Sequence, residues 1–360
     1  MTTQGHGPSA QQTRAVPESA KRGRRGRGGR GEFSMVPEAE FSSYYGRQVV
    51  KESPWEADIP AYLFSGGLAA GSSLLAAGAD LTGLPLLRRS GRFTALGALG
   101  FSMVALVHDL GKPSRFVNML RTAKLTSPMS VGTWILTGYS PFAGLAAAAE
   151  VADLLPARVQ RGPLRLLGLA AKLGRPAGLM AALTAPPVAA YTAVLLADTA
   201  TPSWHEAYRE LPFVFVGSAA AASSGFSMIT TPVAQTGPAR RFAIGGALLD
   251  LVMEHRMEQT MGITAEPMHQ GKAGKLMTAA KWLTAGGAAG SLLAGRSRTV
   301  AVASGAALVA GSVCTRFGIF EAGQASARDP RYTVVPQRER MRAAAAANGD
   351  QPADLDHAPS

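Results

Sequence analysis

Asp250 and Glu254 stand four residues apart inside an otherwise apolar stretch, so a helix there would carry both carboxylates on one face. An ionisable group at the centre of a bilayer costs about 2.5–3.5 kcal/mol on insertion scales, so such a pair needs shielding partners or a task such as passing protons. A second concentration of reactive groups is the link Pro202-Ser203-Trp204-His205-Glu206-Ala207-Tyr208-Arg209-Glu210-Leu211-Pro212. It reads either as an aromatic belt with a salt-bridged loop or as a docking or proton-entry surface beside a ligand. The other carboxylates in or near apolar stretches, Asp58, Asp80, Asp109, Glu150, Asp153 and Asp198, fall at the ends of those stretches, where burial is cheap and a capping role competes with a chemical one. Of these, Asp80 is expected to extend a proton path with Asp250 and Glu254.

Metal chemistry is narrowly bounded. Cys314 is the only cysteine, so the chain can build neither an internal disulfide nor a cysteine-ligated iron–sulfur or zinc site. Of the six histidines, His6 and His357 lie in the tails, and His108, His205, His255 and His269 lie near span ends or in loops. That is poor geometry for two axial haem ligands facing each other across helices. No haem and no metal are expected in this chain.

The elements that must position these groups are membrane helices. Twenty-one uncharged residues separate Asp58 from Asp80, enough to cross a hydrocarbon core of about 30 Å at about 1.5 Å per residue. Eight apolar segments follow one another at 59–79, 93–110, 129–150, 176–197, 211–231, 239–255, 275–295 and 299–320. The expected fold is therefore an all-α integral membrane protein of eight transmembrane helices. Its expected divisions are a disordered Arg/Gly-rich tail at 1–43, the membrane domain at 44–324 and a polar C-terminal tail at 325–360. The sixth segment carries Arg241, Asp250 and Glu254 and has to be shielded by its neighbours or lie partly at the interface. Gly67 and Gly71, and again Gly286 and Gly290, form Gly-x-x-x-Gly grooves that let helix backbones approach closely. Those two segments also resemble each other, through a shared repeat or through biased composition.

The formal charge of +12 is concentrated in the termini. The run from Lys21 to Arg30 interleaves Arg with Gly and lacks aromatics, which suits a solvated tail near anionic headgroups better than a nucleic-acid surface. Arg24-Arg25 is followed by no apolar stretch, so it is not read as an export signal. Loop Lys and Arg divide almost evenly between the two sides, and the Arg-rich tail tips the expectation to both termini in the cytoplasm, with the chain in the cell membrane.

Several stretches in order resemble the NrfD/PsrC-like membrane subunits. They are Trp55-Glu56-Ala57-Asp58-Ile59-Pro60-Ala61-Tyr62-Leu63-Phe64 leading into Gly66-Gly67-Leu68-Ala69-Ala70-Gly71, then Asp109-Leu110-Gly111-Lys112-Pro113-Ser114-Arg115-Phe116, and Ser127-Pro128-Met129-Ser130-Val131-Gly132-Thr133-Trp134. Ala190-Tyr191-Thr192-Ala193-Val194-Leu195-Leu196, Pro202-x-Trp204 and Leu211-Pro212-Phe213 follow in the same order. The resemblance implies an eight-helix anchor of a respiratory oxidoreductase that exchanges electrons between a partner 4Fe-4S iron–sulfur subunit and the quinone pool, with a molybdopterin catalytic subunit beyond. It implies a bound quinone, menaquinone or ubiquinone, and no activity alone. By position it places Asp58, Tyr62 and Tyr191 at the quinone headgroup, His205 and Glu206 at proton exchange nearby, and Asp109, Lys112 and Arg115 on the docking face. Where some members carry His and Asn in the first helix, this chain has Tyr62 and Ile59. The alternative from a different class is a secondary transporter, with a polar site between small-residue helices and flux that needs no partner.

Overall fold

The computed structural model describes residues 48–156 and 165–348; the Arg/Gly-rich N-terminal tail and the loop arginines Arg158 and Arg161 lie outside them. All regular structure among the described residues is helical. Eight long helices carry the architecture: α1 (Asp58–Leu81), α2 (Pro85–Asp109), α4 (Pro128–Leu154), α5 (Arg165–Ala197), α7 (Leu211–Thr230), α8 (Gly237–Thr260), α9 (Gly271–Leu293) and α10 (Arg298–Arg328). Three shorter ones accompany them: α3 (Phe116–Arg121), α6 (Pro202–Glu206) and α11 (Arg331–Asn348). Five long helices, α1, α2, α5 from Ala170, α7 and α10, have the length and apolarity to cross a membrane.

Chain punctuation sets the helix ends. Pro85, Pro128 and Pro202 open their helices, where a missing N–H costs nothing. Gly111 leaves α2 at φ +64°, a conformation glycine adopts without strain, and Pro113 follows. Two expected boundaries move. The fourth segment starts at Arg165, because Pro176, Pro186 and Pro187 are carried inside one helix. The last long helix passes residue 324 to Arg328, and the polar C-terminal stretch then forms α11.

Consecutive helices pair as hairpins, α1 with α2, α4 with α5, α7 with α8 and α9 with α10. α1 also packs on α5 and α2 on α4; in the same way α7 packs on α10 and α8 on α9. The result is two four-helix bundles of one pattern, joined where α1 meets α7 and α10 and where α5 meets α7. This pattern equates α1 with α7. The sequence likeness between the first and seventh apolar segments therefore does not follow the repeat.

The seam between α1 and α7 is built from small residues. A Cβ on Gly71 would collide with Ser223, and one on Gly67 would lie 3.1 Å from the Ala219 Cβ. Gly217 and Gly246 do the same for α7 against α8, each opposing the other's backbone. In α9 the packed pair is Gly287 and Gly290, against Leu308 and Ser304; Gly286 faces open space, so the expected Gly286–Gly290 groove is shifted by one residue. Gly71→Leu is expected to force α1 off α7, costing more than the about 1–3 kcal/mol of ordinary overpacking because backbone opposes it. Thermal unfolding of the detergent-solubilised protein reads this, with Gly286→Leu as the tolerated control.

Outward faces are apolar, as contact with lipid requires: Val104 of α2, Leu183 of α5, Leu248 and Val252 of α8 and Trp282 of α9 are all exposed. The arrangement in α8 is the inverse of a soluble amphipathic helix. Asp250 and Glu254 are each only 1% exposed while Leu248 and Val252 face out, so neighbouring helices shield the charges of the sixth segment.

Candidate functional site

α1, α7 and α10 alternate in direction with their partners, so the bundle has an end marked by Asp58 and an opposite end marked by Asp80. At the Asp58 end a cleft opens between α1, α2, α4 and α5, lined by Trp55, Ile59, Tyr62, Asp109, Thr133 and Tyr191 among others. It is narrow, about 30 Å³, with Met119 and Met129 in its wall; Met side chains are unbranched and readily repack.

Two phenols point at this cleft from a rigid frame. Tyr191 is 8% exposed and its hydroxyl is buried without a hydrogen-bond partner. Its ring lies in a notch left by Gly132, where a Cβ would collide with it. Tyr62 is 2% exposed, and among the described residues its hydroxyl makes no hydrogen bond. A buried hydroxyl left unpaired costs about 1–3 kcal/mol, so the Tyr191 hydroxyl, aimed at a cleft, calls for a partner there.

The cleft wall is held by an aromatic stack that begins in the unusual link between the fourth and fifth apolar segments. Trp204 of α6 is fully buried, donates its Nε1–H to the Ile319 carbonyl at 2.8 Å, stacks on Trp55 at 5.9 Å and meets Phe320 in a tilted pair at 5.5 Å. The Gln324 amide binds the Ser53 and Trp55 carbonyls at 3.0 and 3.2 Å. Nearby, hydrogen bonds from Gln48 and Arg328 hold the Glu52 carboxyl below its usual range. Trp204→Ala is expected to destabilise the protein by about 3–5 kcal/mol and to free Trp55, read as increased Trp fluorescence quenching by an added quencher.

The expected site residues separate into groups. Tyr62 and Tyr191 meet in the cleft. Asp109, expected on the docking face, lines it instead. Asp58, expected at the headgroup, sits at the rim, 2.6 Å from His108 Nδ1, with the imidazole largely exposed. Lys112 and Arg115 are exposed on the connector after α2 and make no ion pair among the described residues. His205 is exposed and its Nδ1 lies 3.0 Å from the Ala197 carbonyl, closing the end of α5 two residues beyond Leu195 of the cleft; Glu206 binds Arg340 of α11 at 2.8 Å. Neither lines the cleft, so their position supports structure at its edge.

The three residues expected in a proton path also divide. Asp80, at the far end of α1, belongs to a cluster in which Arg88, Arg92 and Arg175 approach it at 3.3, 4.0 and 3.5 Å. The same cluster surrounds Glu150, fully buried, with Arg88 at 2.6 Å, Arg89 at 3.3 Å and Arg92 at 3.0 Å. Asp250 and Glu254 lie in the other bundle, near Arg316 and Lys281.

Two further hollows are apolar. A groove of about 270 Å³ between α2, α3 and α4 shares Leu106 and Thr133 with the cleft and continues to Pro141. The other, about 730 Å³, runs along α1, α2 and the end of α7, and its one charged lining residue, Arg89, is held by Glu150. It offers a surface for a hydrocarbon chain rather than a reactive group.

Sequence reasoning missed Trp55, Thr133 and the Gly132 notch, although all three lie inside the stretches that carry the family resemblance. His108 was legible only as a residue near a helix end. A search of curated proteins returned no match. The family model described as polysulphide reductase, NrfD, matches residues 47–243, which span the first bundle, α6, α7 and the start of α8. The cleft with both tyrosines falls wholly within that match, and the chain belongs to the NrfD polysulphide reductase family.

Proposed function

We propose that this protein is the quinone-reactive membrane subunit of a multi-subunit oxidoreductase, exchanging electrons between a partner iron–sulfur subunit and a quinone in the Tyr62–Tyr191 cleft. The observation that carries the reading is the convergence of a buried, unpartnered Tyr191 hydroxyl, the Tyr62 hydroxyl and Asp109 on one cleft that continues into an apolar groove. Family membership supports a membrane subunit of such a complex.

A quinone supplies the two-electron, two-proton couple; the chain supplies its surroundings. The Tyr191 and Tyr62 hydroxyls would hold the headgroup by donating hydrogen bonds to its carbonyl oxygens and would supply protons there. Asp109 and, at the rim, Asp58 with His108 connect that position to water. The groove along α2 and α4 would hold the isoprenoid tail, and Met119 and Met129 would have to repack to admit the headgroup. Menaquinone and ubiquinone both fit this description.

The eight long helices are taken to cross the cell membrane, with both termini cytoplasmic. Lys112 and Arg115, with the exposed Arg121 and Lys124 on the same connector, offer a basic face beside the cleft for an acidic patch of the iron–sulfur subunit. A molybdopterin subunit completes the complex on the far side of that partner.

A photoactivatable quinone analogue, bound to the intact complex and mapped by mass spectrometry, tests the assignment. Labelling of peptides containing Tyr62, Met119, Met129 or Tyr191, suppressed by excess native quinone, is expected. Labelling confined to the groove of Phe93 and Phe101 would overturn it.

A further inference from the structure

The second bundle holds a set of ionisable groups that the quinone cleft does not use. Arg316 of α10 is fully buried, its guanidinium carbon lies 3.7 Å from the centre of the Phe215 ring, and it donates Nη2–H to the Phe215 carbonyl at 2.8 Å. Its Nε and Nη1 make no hydrogen bond. The backbone of Asp250 on α8 packs against Gly217 of α7, and its carboxylate interacts electrostatically with Arg316. The Asp250 Oδ1 and Glu254 Oε1 atoms are buried and also without a hydrogen bond. One turn further along, Lys281 of α9 lies 3.8 Å from Glu254 and 2.8 Å from Glu258, and His269 lies 3.9 Å from Glu258.

Four orphaned polar atoms in two neighbouring acids and a buried guanidinium are far outside what a packed interior tolerates unless water joins them. The charge does not close either. Asp250, Glu254 and Glu258 bring three negative charges, and Arg316 and Lys281 bring two permanent positive ones; His269, more than half exposed beside Glu258, adds a third only when protonated. α7 carries no titratable side chain, and the other acid on α10 near this end, Glu321, is taken by Lys272 at 2.6 Å. One uncompensated negative charge next to lipid is costly, and binding one proton removes it.

We infer that Asp250 and Glu254 share one exchangeable proton in a hydrated pocket backed by Arg316, and that this proton enters from the Asp58 end of the bundle past Glu258 and Lys281. Exposure rises along that route, from 1% at the Glu254 side chain to 14% at Glu258, 37% at Lys281 and 55% at His269. Asp80 has no part in it, being paired with arginines at the opposite end. The site stands whether or not a quinone occupies the cleft of the first bundle.

Infrared difference spectroscopy of the intact complex near neutral pH tests the proposal. A carbonyl stretch of a protonated carboxylic acid is expected, shifting on transfer to D₂O and lost in Asp250→Asn combined with Glu254→Gln. Glu258→Gln should keep the band and slow its isotope shift. Absence of a protonated-acid band in the wild type would overturn the site, as would a band that survives the double substitution. An isotope shift of unchanged rate in Glu258→Gln would overturn the entry route. The wild-type measurement needs no variant to fold.

Discussion

Tyr191→Phe is expected to lower quinone-linked turnover of the complex by about 10²-fold or more, the usual worth of a positioned proton donor. The substitution removes only the hydroxyl. That hydroxyl has no hydrogen-bond partner among the described residues, so its loss takes no bond from the described fold. The ring that remains still fills the notch at Gly132. Stability should therefore stay within about 0.5 kcal/mol of wild type, while activity with quinone falls and activity of the catalytic subunit with a soluble dye does not. Turnover within about twofold of wild type would remove Tyr191 from the reaction, although the cleft could still bind. Gly132→Ala provides the steric counterpart: its Cβ would displace the ring, so affinity for quinone should fall along with rate.

A loss of stability as large as that expected for Trp204→Ala is expected at the opposite end of the bundle. Glu150 is fully buried and receives Arg88, Arg89 and Arg92. Glu150→Ala leaves those guanidinium groups facing one another, with only Asp80 and Asp153 to offset them. Breaking a buried charge set by removing one partner costs about 3–5 kcal/mol. Asp153 is half exposed and reaches only Arg88, at 3.7 Å, so Asp153→Asn should cost less than about 1 kcal/mol. Unfolding in detergent, followed by helical circular dichroism, separates the two. Protein that does fold as Glu150→Ala should retain its quinone affinity, because the cluster and the cleft lie at opposite ends of α1.

Hydrophobic runs made the long helices legible, because a segment shielded from water must satisfy its own backbone and carries few charges. The helix boundaries were less legible. Pro176 looks like a start, yet α5 runs through it, since neighbouring helices can support a proline inside a membrane helix. The cleft was half legible. Tyr62 and Tyr191, picked out through the family pattern, both line the cleft, whereas Asp109 lines it and Asp58 stands at its rim. Both stand at helix ends, and which of them faces inward depends on the rotation of α1 and α2 about their axes, which tertiary packing decides. The Gly286–Gly290 spacing misled in the same way: composition marks a small-residue face, but one residue of rotation selects Gly287 instead. Trp204 drew attention as part of a chemical loop and proves to be a structural post, because its partners Ile319, Phe320 and Gly323 are more than 100 residues away in sequence. The three carboxylates expected on a proton path lie in two bundles, Asp80 among arginines of the first and Asp250 with Glu254 in the second, since distance along the chain says nothing about which bundle a carboxylate joins.

Purification of the protein from its native membrane in mild detergent, with its companions and bound quinone identified together by mass spectrometry, tests the central claim most directly. The account predicts an iron–sulfur subunit and a molybdopterin subunit in fixed ratio with this chain, and a quinone whose retention falls in Gly132→Ala. A stable protein that purifies alone and without quinone would contradict it, and would turn attention to solute flux through the bundle.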